Sequence, residues 1–408
     1  MLLATLLAGC SAHSPLGYYW QAAAGHMQLL ATARPLQEVL QDPTLPAALQ
    51  QRLARTQQMR RFASQQLHLP DNASYHRYAD LGRAYAVWNV VAAPADALEL
   101  HHWCYPVLGC VGYRGYFAEA DAHNQARRLR AQGLEVHVYG VPAYSTLGWS
   151  NWLGGDPLLN TFIRWSEPDV AGLLFHELAH QLLYVPDDTA FNESFASAVQ
   201  HLGTQQWLQA HGSPALQAAL AAAEQRRRQW RTLTRATRSD LAALYATHRQ
   251  TPLAPDALHA HKQAVLRAFQ HRYAELRATW AAQWQAVQAQ STAPSASAAS
   301  TAATPRAPSP TANPSTTPET AAAPPPDPWA LTDAWVAQAN NASFAALGLY
   351  EDWAPAFEAM YQQAGGDWPR FYDAVRALAA QPAGARTAAL CALLPTESPH
   401  TDCVRHPD

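Results

Sequence analysis

The sequence predicts an α+β protein that is mostly helical, with a small antiparallel or mixed sheet and a pair of helices around a candidate site. Three observations predict this class. Apolar residues recur at helical spacing in several long stretches, whereas strand-like patterns are short and confined to residues 75–141. One helical stretch carries a pair of histidines beside a glutamate. Apolar residues make up 49% of the 408, which is ample for a core.

The first ten residues form a short apolar run that ends in Leu7-Ala8-Gly9-Cys10. This pattern is typical of a bacterial lipoprotein signal peptide, in which residues 1–9 are removed and Cys10 is lipidated. Ser11 favours the outer membrane, so we expect a lipid anchor at its periplasmic face in a Gram-negative bacterium. The basic residues that usually open a signal peptide are missing, so either the true start lies upstream or this is a plain apolar N-terminus. No apolar run is long enough to predict a transmembrane helix.

Four cysteines remain beyond Cys10, and they fall into two close pairs. In an oxidising compartment such pairs predict the disulfides Cys104–Cys110 and Cys391–Cys403. The alternative is that all four are buried free thiols. None of the four has the spacing of a zinc finger, so no cysteine-bound zinc site is predicted. The net charge of −3 is too small to indicate a nucleic-acid surface, so no nucleic-acid partner is predicted.

The N-terminal part of the chain alternates helical and extended patterns. The predicted elements are helical stretches over residues 18–68 broken by Pro43 and Pro46, a buried strand within 75–92, a strand and turn over 107–117, a helix over 118–132 closed by Gly133, and a strand over 134–141.

After the histidine-glutamate motif the patterns are helical, over residues 190–211, 214–231, 256–290 and 329–380. Residues 291–328 are almost entirely Ser, Thr, Ala and Pro, a composition that predicts a disordered segment. We interpret it as an insertion, so that residues 10–290 and 329–408 form one domain; the alternative is a linker to a separate module. The basic run Arg226-Arg227-Arg228 is interpreted as a solvated helix face, with contact to anionic lipid as the alternative.

Residues 176–180 are His-Glu-Leu-Ala-His, the pattern of zinc peptidases. Two histidines four apart on a helix lie on the same face, so both can reach one metal ion. Ser166 is suited to cap this helix, with Pro168 in the first turn and Asp169 completing a capping box. We therefore expect His176 and His180 on a helix, not in a loop.

A catalytic zinc ion usually has three protein ligands and one open position. Glu193, on the next predicted helix, is the best third ligand, with Asp187 and Asp188 as competitors that are better suited to cap that helix or orient a histidine. Zinc would lower the pKa of a bound water, and Glu177 would be the general base that accepts its proton. Tyr144, Tyr184 and Tyr350 are weak candidates for a substrate or oxyanion contact, and each is more often a packed aromatic.

The sequence resembles the zinc aminopeptidases of Gram-negative bacteria, a gluzincin-like group of lipoproteins. The resemblance covers most of residues 16–380. The matching stretches are 74–75, 78–83, 103–104, 109–111, 113–117, 141–149, 175–181 and 191–195, with weaker similarity at 340–342 and Tyr350. It implies a gluzincin-like metallopeptidase fold in which His176, His180 and Glu193 bind zinc and Glu177 is the catalytic base. It also implies that residues 291–328 are an insertion.

We therefore expect a zinc-dependent peptidase of the cell envelope that acts on peptide substrates, in the first instance an aminopeptidase. The Gly-x-Met-x-Asn segment with which gluzincin aminopeptidases hold a substrate's amino terminus is absent, so an endopeptidase that processes envelope proteins stays open. The alternative outside the enzymes is a non-catalytic lipoprotein with a structural zinc site. Glu177, and the lack of a cysteine near the motif, favour catalysis. The sequence does not predict the oligomeric state.

Overall fold

A computed structural model describes residues 15–105, 109–146, 154–292, 327–348 and 353–394 of the chain. Helices dominate these residues and the strands are short, which confirms the mostly helical α+β class. Cys10, Tyr350, Cys403 and most of the 291–328 segment lie outside them. No described helix is both long enough and apolar enough to cross a lipid bilayer.

The helices are α1 Pro15–Thr32, α2 Leu36–Leu40, α3 Ala47–Gln65, α4 Glu119–Ala131, α5 Glu167–Leu182, α6 Thr189–His211, α7 Pro214–Gln250, α8 Pro255–Thr292, α9 Ala330–Ala337, α10 Asn341–Leu347, α11 Ala354–Gln363, α12 Trp368–Ala379 and α13 Ala383–Leu393. The strands are β1 Arg34–Pro35, β2 Arg77–Ala79, β3 Val87–Ala93, β4 Trp103–Tyr105, β5 Gly109–Val111, β6 Arg114–Tyr116, β7 Glu135–Val141 and β8 Leu158–Leu159.

The strands form small separate sheets. One is mixed, in the order β1-β2-β8, with β2 antiparallel to β1 and parallel to β8. Another is antiparallel, in the order β6-β3-β7, and α4 covers one of its faces through Ala122, Ala126 and Leu129. The third is the two-stranded β4-β5 ribbon, where Cys104 lies opposite Cys110 and the two form a disulfide.

The main apolar core joins helices from both ends of the chain. Side chains of α3, α5 and α6 pack in one continuous cluster with side chains of α11, α12 and α13. Phe357 of α11, for example, meets the rings of Phe191 and Phe195 of α6 at centroid distances of 5.0 and 5.8 Å. The helices after residue 353 therefore help to hold α6 in place.

Helices α7 and α8 form a long antiparallel pair with a separate aromatic cluster. The pairing direction follows from two contacts, Trp280 Nε1 to Gln229 at 2.8 Å and Arg272 to Asp240 at 3.4 Å. The short helices α9 and α10 pack onto this pair through rings such as that of Phe344.

Some predicted boundaries were wrong. The helix predicted over residues 214–231 continues to Gln250, because neither proline nor glycine interrupts the chain before Pro252. The extended run over 75–92 is two strands from different sheets, separated by a turn in which Gly82 has a φ of 61°. Strands as short as β1 and β8 carry no periodic signal, and the sequence did not predict them.

Candidate metal centre

The motif helix α5 begins where the sequence predicts. The Ser166 hydroxyl accepts the backbone N–H of Asp169, which satisfies one of the free donors of the first turn. Glu167 in that turn accepts hydrogen bonds from Arg55 of α3 at 2.7 Å and from the Trp207 indole of α6 at 3.0 Å. A carboxylate near a helix N-terminus is also favoured by the helix dipole. The start of α5 is thus fixed to both neighbouring helices.

The turn between α5 and α6 is held by two side chains, one at the N-cap of α6 and one in its first turns. Asp188 caps α6 by accepting the backbone N–H of Phe191 at 3.1 Å, and Arg386 of α13 pairs with its carboxylate at 2.7 Å. Asn192 accepts the backbone N–H of Val185 at 2.8 Å and donates to its carbonyl at 2.7 Å. Asn192 immediately precedes Glu193 and Asp188 lies at the start of the same helix, so the two contacts fix the direction from which the Glu193 side chain approaches α5.

His176, His180 and Glu193 come together between the two helices. The Nε2 atoms of the histidines lie 3.1 Å apart, and Glu193 Oε2 lies 3.3 Å from His176 Nε2 and 3.6 Å from His180 Nε2. Among the described residues, these three form the group whose ligand atoms could share one metal ion.

The geometry of this group suits zinc. Ligand atoms at about 2.0–2.1 Å from a tetrahedral ion lie roughly 3.3–3.4 Å from one another. The distances between the three candidate ligand atoms, 3.1, 3.3 and 3.6 Å, are close to that separation. Two imidazole nitrogens and one carboxylate oxygen are a donor set of catalytic zinc sites. The Nδ1 atoms of both histidines are buried without a hydrogen-bond partner among the described residues, so helix packing sets the ring orientations.

Glu177 lies on α5 directly after His176, and a neighbouring loop contacts its carboxylate. The Ser145 side chain hydrogen-bonds to Glu177. The loop that carries Ser145 is held by the buried carboxylate of Asp156, which accepts the backbone N–H of Thr146 at 3.0 Å and its hydroxyl at 2.8 Å. Gln181 of α5 donates to the same carboxylate at 3.4 Å. Asp156 therefore connects the loop to the motif helix.

The two glutamates have opposite pKa shifts. Burial raises the pKa of Glu177 above its ordinary value, and the neighbouring imidazoles offset this only in part. Burial would raise the pKa of Glu193 as well, but His180 and His176 outweigh it and hold that pKa below the ordinary value. The lowered pKa keeps Glu193 ionised, as a metal ligand would have to be, whereas the raised pKa of Glu177 is closer to the value that proton transfer near neutral pH requires.

The two competing aspartates have other partners. Asp188 caps α6, and Asp187 Oδ1 accepts the backbone N–H of Cys110 at 2.7 Å. This contact needs Gly109, whose φ is 74° and where a Cβ would lie 2.2 Å from Asp187 Oδ1. The disulfide ribbon β4-β5, which precedes the motif by many residues, is thereby fixed to the turn between α5 and α6.

The tyrosines near the site are Tyr184, which the sequence analysis names, and Tyr113, which it does not. The Tyr144 ring packs against Phe117 and His26, at centroid distances of 5.1 and 5.6 Å. Tyr113 was missed as a site candidate: burial, followed by the nearby Glu193 and other groups including Glu177, raises its pKa. Tyr184 also interacts electrostatically with Glu193. The available signal for Tyr113 was its place in the glycine-rich 109–117 stretch, which indicated a turn but not its direction.

Comparison with models of known protein families gives a match over most of the chain. The profile of a family described as "Putative aminopeptidase" matches residues 17–301 and 321–390 of the chain. No curated protein and no solved structure shows significant similarity to it. The matched residues include both helices of the metal-ligand group and the C-terminal helices that pack on them. The chain therefore belongs to the "Putative aminopeptidase" family, a family of peptidases.

Proposed function

We propose that this protein is a zinc-dependent peptidase and that it acts as an aminopeptidase of the cell envelope. The observation that carries the proposal is the convergence of His176, His180 and Glu193 on one point beside Glu177. The family description supports peptide-bond hydrolysis at a coarse level, and the donor set supports zinc.

The chain's own residues divide into ligands and an acid–base group. His176, His180 and Glu193 would hold the ion, which when bound lowers the pKa of water and polarises a carbonyl group. Glu177 accepts a proton from the attacking water and passes it to the leaving amine. Its raised pKa makes the carboxylate a stronger base towards the water than an ordinary carboxylate would be. The carboxyl group that forms is still acidic enough to give the proton up to the amine.

Ser145 keeps the Glu177 carboxylate oriented, and Asp156 keeps Ser145 in place by binding the next residue, Thr146. Tyr113 is the candidate hydrogen-bond donor to the oxyanion that forms during hydrolysis. Its raised pKa keeps the phenol protonated, and it lies close enough to Glu193 and Glu177 to sense both charges. A protonated phenol beside the cluster can donate a hydrogen bond to an oxyanion, so we choose Tyr113 over Tyr144 for this role.

A purely structural zinc site is the competing function, and Glu177 argues against it. A structural site closes all four positions with protein ligands. Here the neighbour of the proposed ligands is the partly buried Glu177 carboxylate, whose pKa is raised by the cost of removing it from water. Such a group destabilises the fold when it is ionised, so its presence is best explained by a function that needs it, and proton transfer is one.

Hydrolysis of short peptides with free and with acetylated amino termini tests the proposal. We expect cleavage of the free peptide, its loss on dialysis against a chelator, and its recovery with zinc. Cleavage of the acetylated peptide at an equal rate would instead indicate an endopeptidase. Retention of full activity in metal-free protein would overturn the zinc-dependent mechanism.

We also propose that Cys10 is lipidated and holds the enzyme at the periplasmic face of the outer membrane. The support is the Leu7-Ala8-Gly9-Cys10 sequence alone. Labelling with a radioactive fatty acid in a Gram-negative host should mark the wild-type protein and not Cys10→Ser. Equal labelling of both proteins, or of neither, would contradict the assignment.

A further inference from the structure

A pocket lies between helices α7, α8 and α9, and it shares no residue with the metal-ligand group. It encloses about 500 Å³, a volume typical of small-molecule sites. Its walls are mainly aromatic, and the indole rings that line it are those of Trp230, Trp280, Trp284, Trp329 and Trp335.

Parts of this aromatic surface are open to water. The Trp284 side chain is 39% exposed and that of Leu331 is 73% exposed, whereas Trp280 and Trp329 are buried deeper in the pocket. The apolar wall therefore continues from the interior to the surface, so a ligand could enter the pocket without displacing the helices. Indole rings supply large apolar contact areas at a low cost in side-chain entropy.

Two arginines of α7 line the same pocket, and their partners differ. Arg227 pairs with Asp169 of α5 at 3.0 Å. Arg226 is half-buried, and it has no ion-pair partner in the part of the chain that the structure describes. Burial lowers its pKa, and the adjacent charge of Arg227 lowers it further. The prediction of a solvated face holds for the exposed Arg228 and only in part for Arg226 and Arg227, which are partly buried.

The other arginine near the pocket is already neutralised. Arg277 lies over the Trp329 ring at 4.4 Å and pairs with Asp327 and Asp333. Among the residues that line the pocket, the positive charge without a counter-charge is thus that of Arg226. A partly desolvated guanidinium gains most from a carboxylate, which it can bind through two parallel hydrogen bonds.

We propose that this pocket binds a free amphipathic carboxylate, a small molecule with one carboxylate group and an apolar chain or ring. The carboxylate would pair with Arg226, and the apolar part would lie against the indole rings. An inorganic anion would contact only the arginine, and an uncharged apolar molecule would contact only the indole rings. Because the pocket has both a guanidinium group and indole rings, we expect a ligand that has both a carboxylate and an apolar part.

Decanoate binding to the full-length protein tests the proposal, measured by titration calorimetry and by quenching of tryptophan fluorescence. We expect saturable binding of one decanoate per chain and weaker binding of decan-1-ol. The substitution Arg226→Gln should weaken decanoate binding by about tenfold, the loss of one charge-assisted contact, without changing decanol binding. The matched control is Arg228→Gln, two positions along the same helix, which should bind decanoate as the wild type does.

A second variant separates recognition from folding. The substitution Trp284→Ala removes a partly exposed ring and should weaken decanoate and decanol alike, and melting curves verify that each variant is folded. Three results would overturn the proposal: no saturable binding to wild type, equal affinities in Arg226→Gln and Arg228→Gln, or equal affinities of decanoate and decanol. Binding to vesicles of anionic phospholipid, without binding of monomeric decanoate, would replace it with a membrane contact.

Discussion

Asn192 holds the backbone of Val185 with both ends of its side-chain amide, one residue before Glu193. This contact closes the turn between α5 and α6 and sets where Glu193 meets the two histidines. It explains how the Glu193 carboxylate, from a second helix, can lie within 3.6 Å of both imidazole nitrogens.

The Asn192 contact predicts a combined effect on stability and metal binding. Asn192→Ala leaves a backbone donor and acceptor without their partners, which should lower the free energy of unfolding by about 1–3 kcal/mol. Zinc affinity should also fall, because the turn no longer positions the Glu193 side chain beside the two histidines. Urea unfolding and a competitive zinc titration measure the two effects. The helix-surface substitution Asn124→Ala serves as the control, and an Asn192→Ala protein with wild-type zinc affinity would contradict the account.

The proposed third ligand, Glu193, is tested against Asp187, an acidic residue of the turn that precedes α6. Glu193→Gln removes the negative oxygen that faces both histidines, so zinc affinity should fall by at least about tenfold. Asp187→Asn should change it little, since that side chain binds the Cys110 backbone instead. Competition with a chromogenic chelator gives both values. A large loss in Asp187→Asn with none in Glu193→Gln would exchange the two assignments.

The raised pKa of Glu177 predicts a pH-dependent stability difference in metal-free protein. A carboxyl group whose folded-state pKa is raised favours folding while it is protonated, and that contribution is lost as the pH rises through the folded pKa. The glutamine of Glu177→Gln cannot ionise, so this variant does not lose folding stability as the pH rises. Its melting temperature should therefore exceed that of the wild type at neutral pH, with a smaller difference near pH 4. A difference independent of pH would show that burial does not penalise this carboxylate.

A buried ion pair between the sheet and α8 supports the fold away from the metal site. Lys262 is 4% exposed and bonds Glu135 and the carbonyl of Ala95, while Glu135 also accepts the backbone N–H of Asn341. Glu135→Ala leaves the ammonium group buried without its counter-charge and should destabilise the protein by about 3–5 kcal/mol. Chemical denaturation measures this. The double variant Glu135→Leu with Lys262→Met should recover much of the loss, and no recovery would contradict a charge-burial cause.

The sequence predicts best where local chemistry decides the structure. The cap at Ser166 and the end of α4 near Gly133 depend on neighbouring residues, and both form as expected. Contacts between distant segments carry no such signal. Neither the hydrogen bond from the Cys110 backbone N–H to Asp187 nor the position of Tyr113 near the two glutamates follows from spacing along the chain. The partial burial of Arg226 also depends on α8 and α9, so a basic run alone could not predict it.

Zinc content and peptide hydrolysis, measured together in wild type and in Glu177→Gln, test the central proposal most directly. Gln has nearly the shape of Glu and leaves His176, His180 and Glu193 in place, so the variant should retain zinc like the wild type. It cannot accept the proton, so hydrolysis should fall by at least about a hundredfold. A variant that retains zinc and hydrolyses peptides at the wild-type rate would contradict the account.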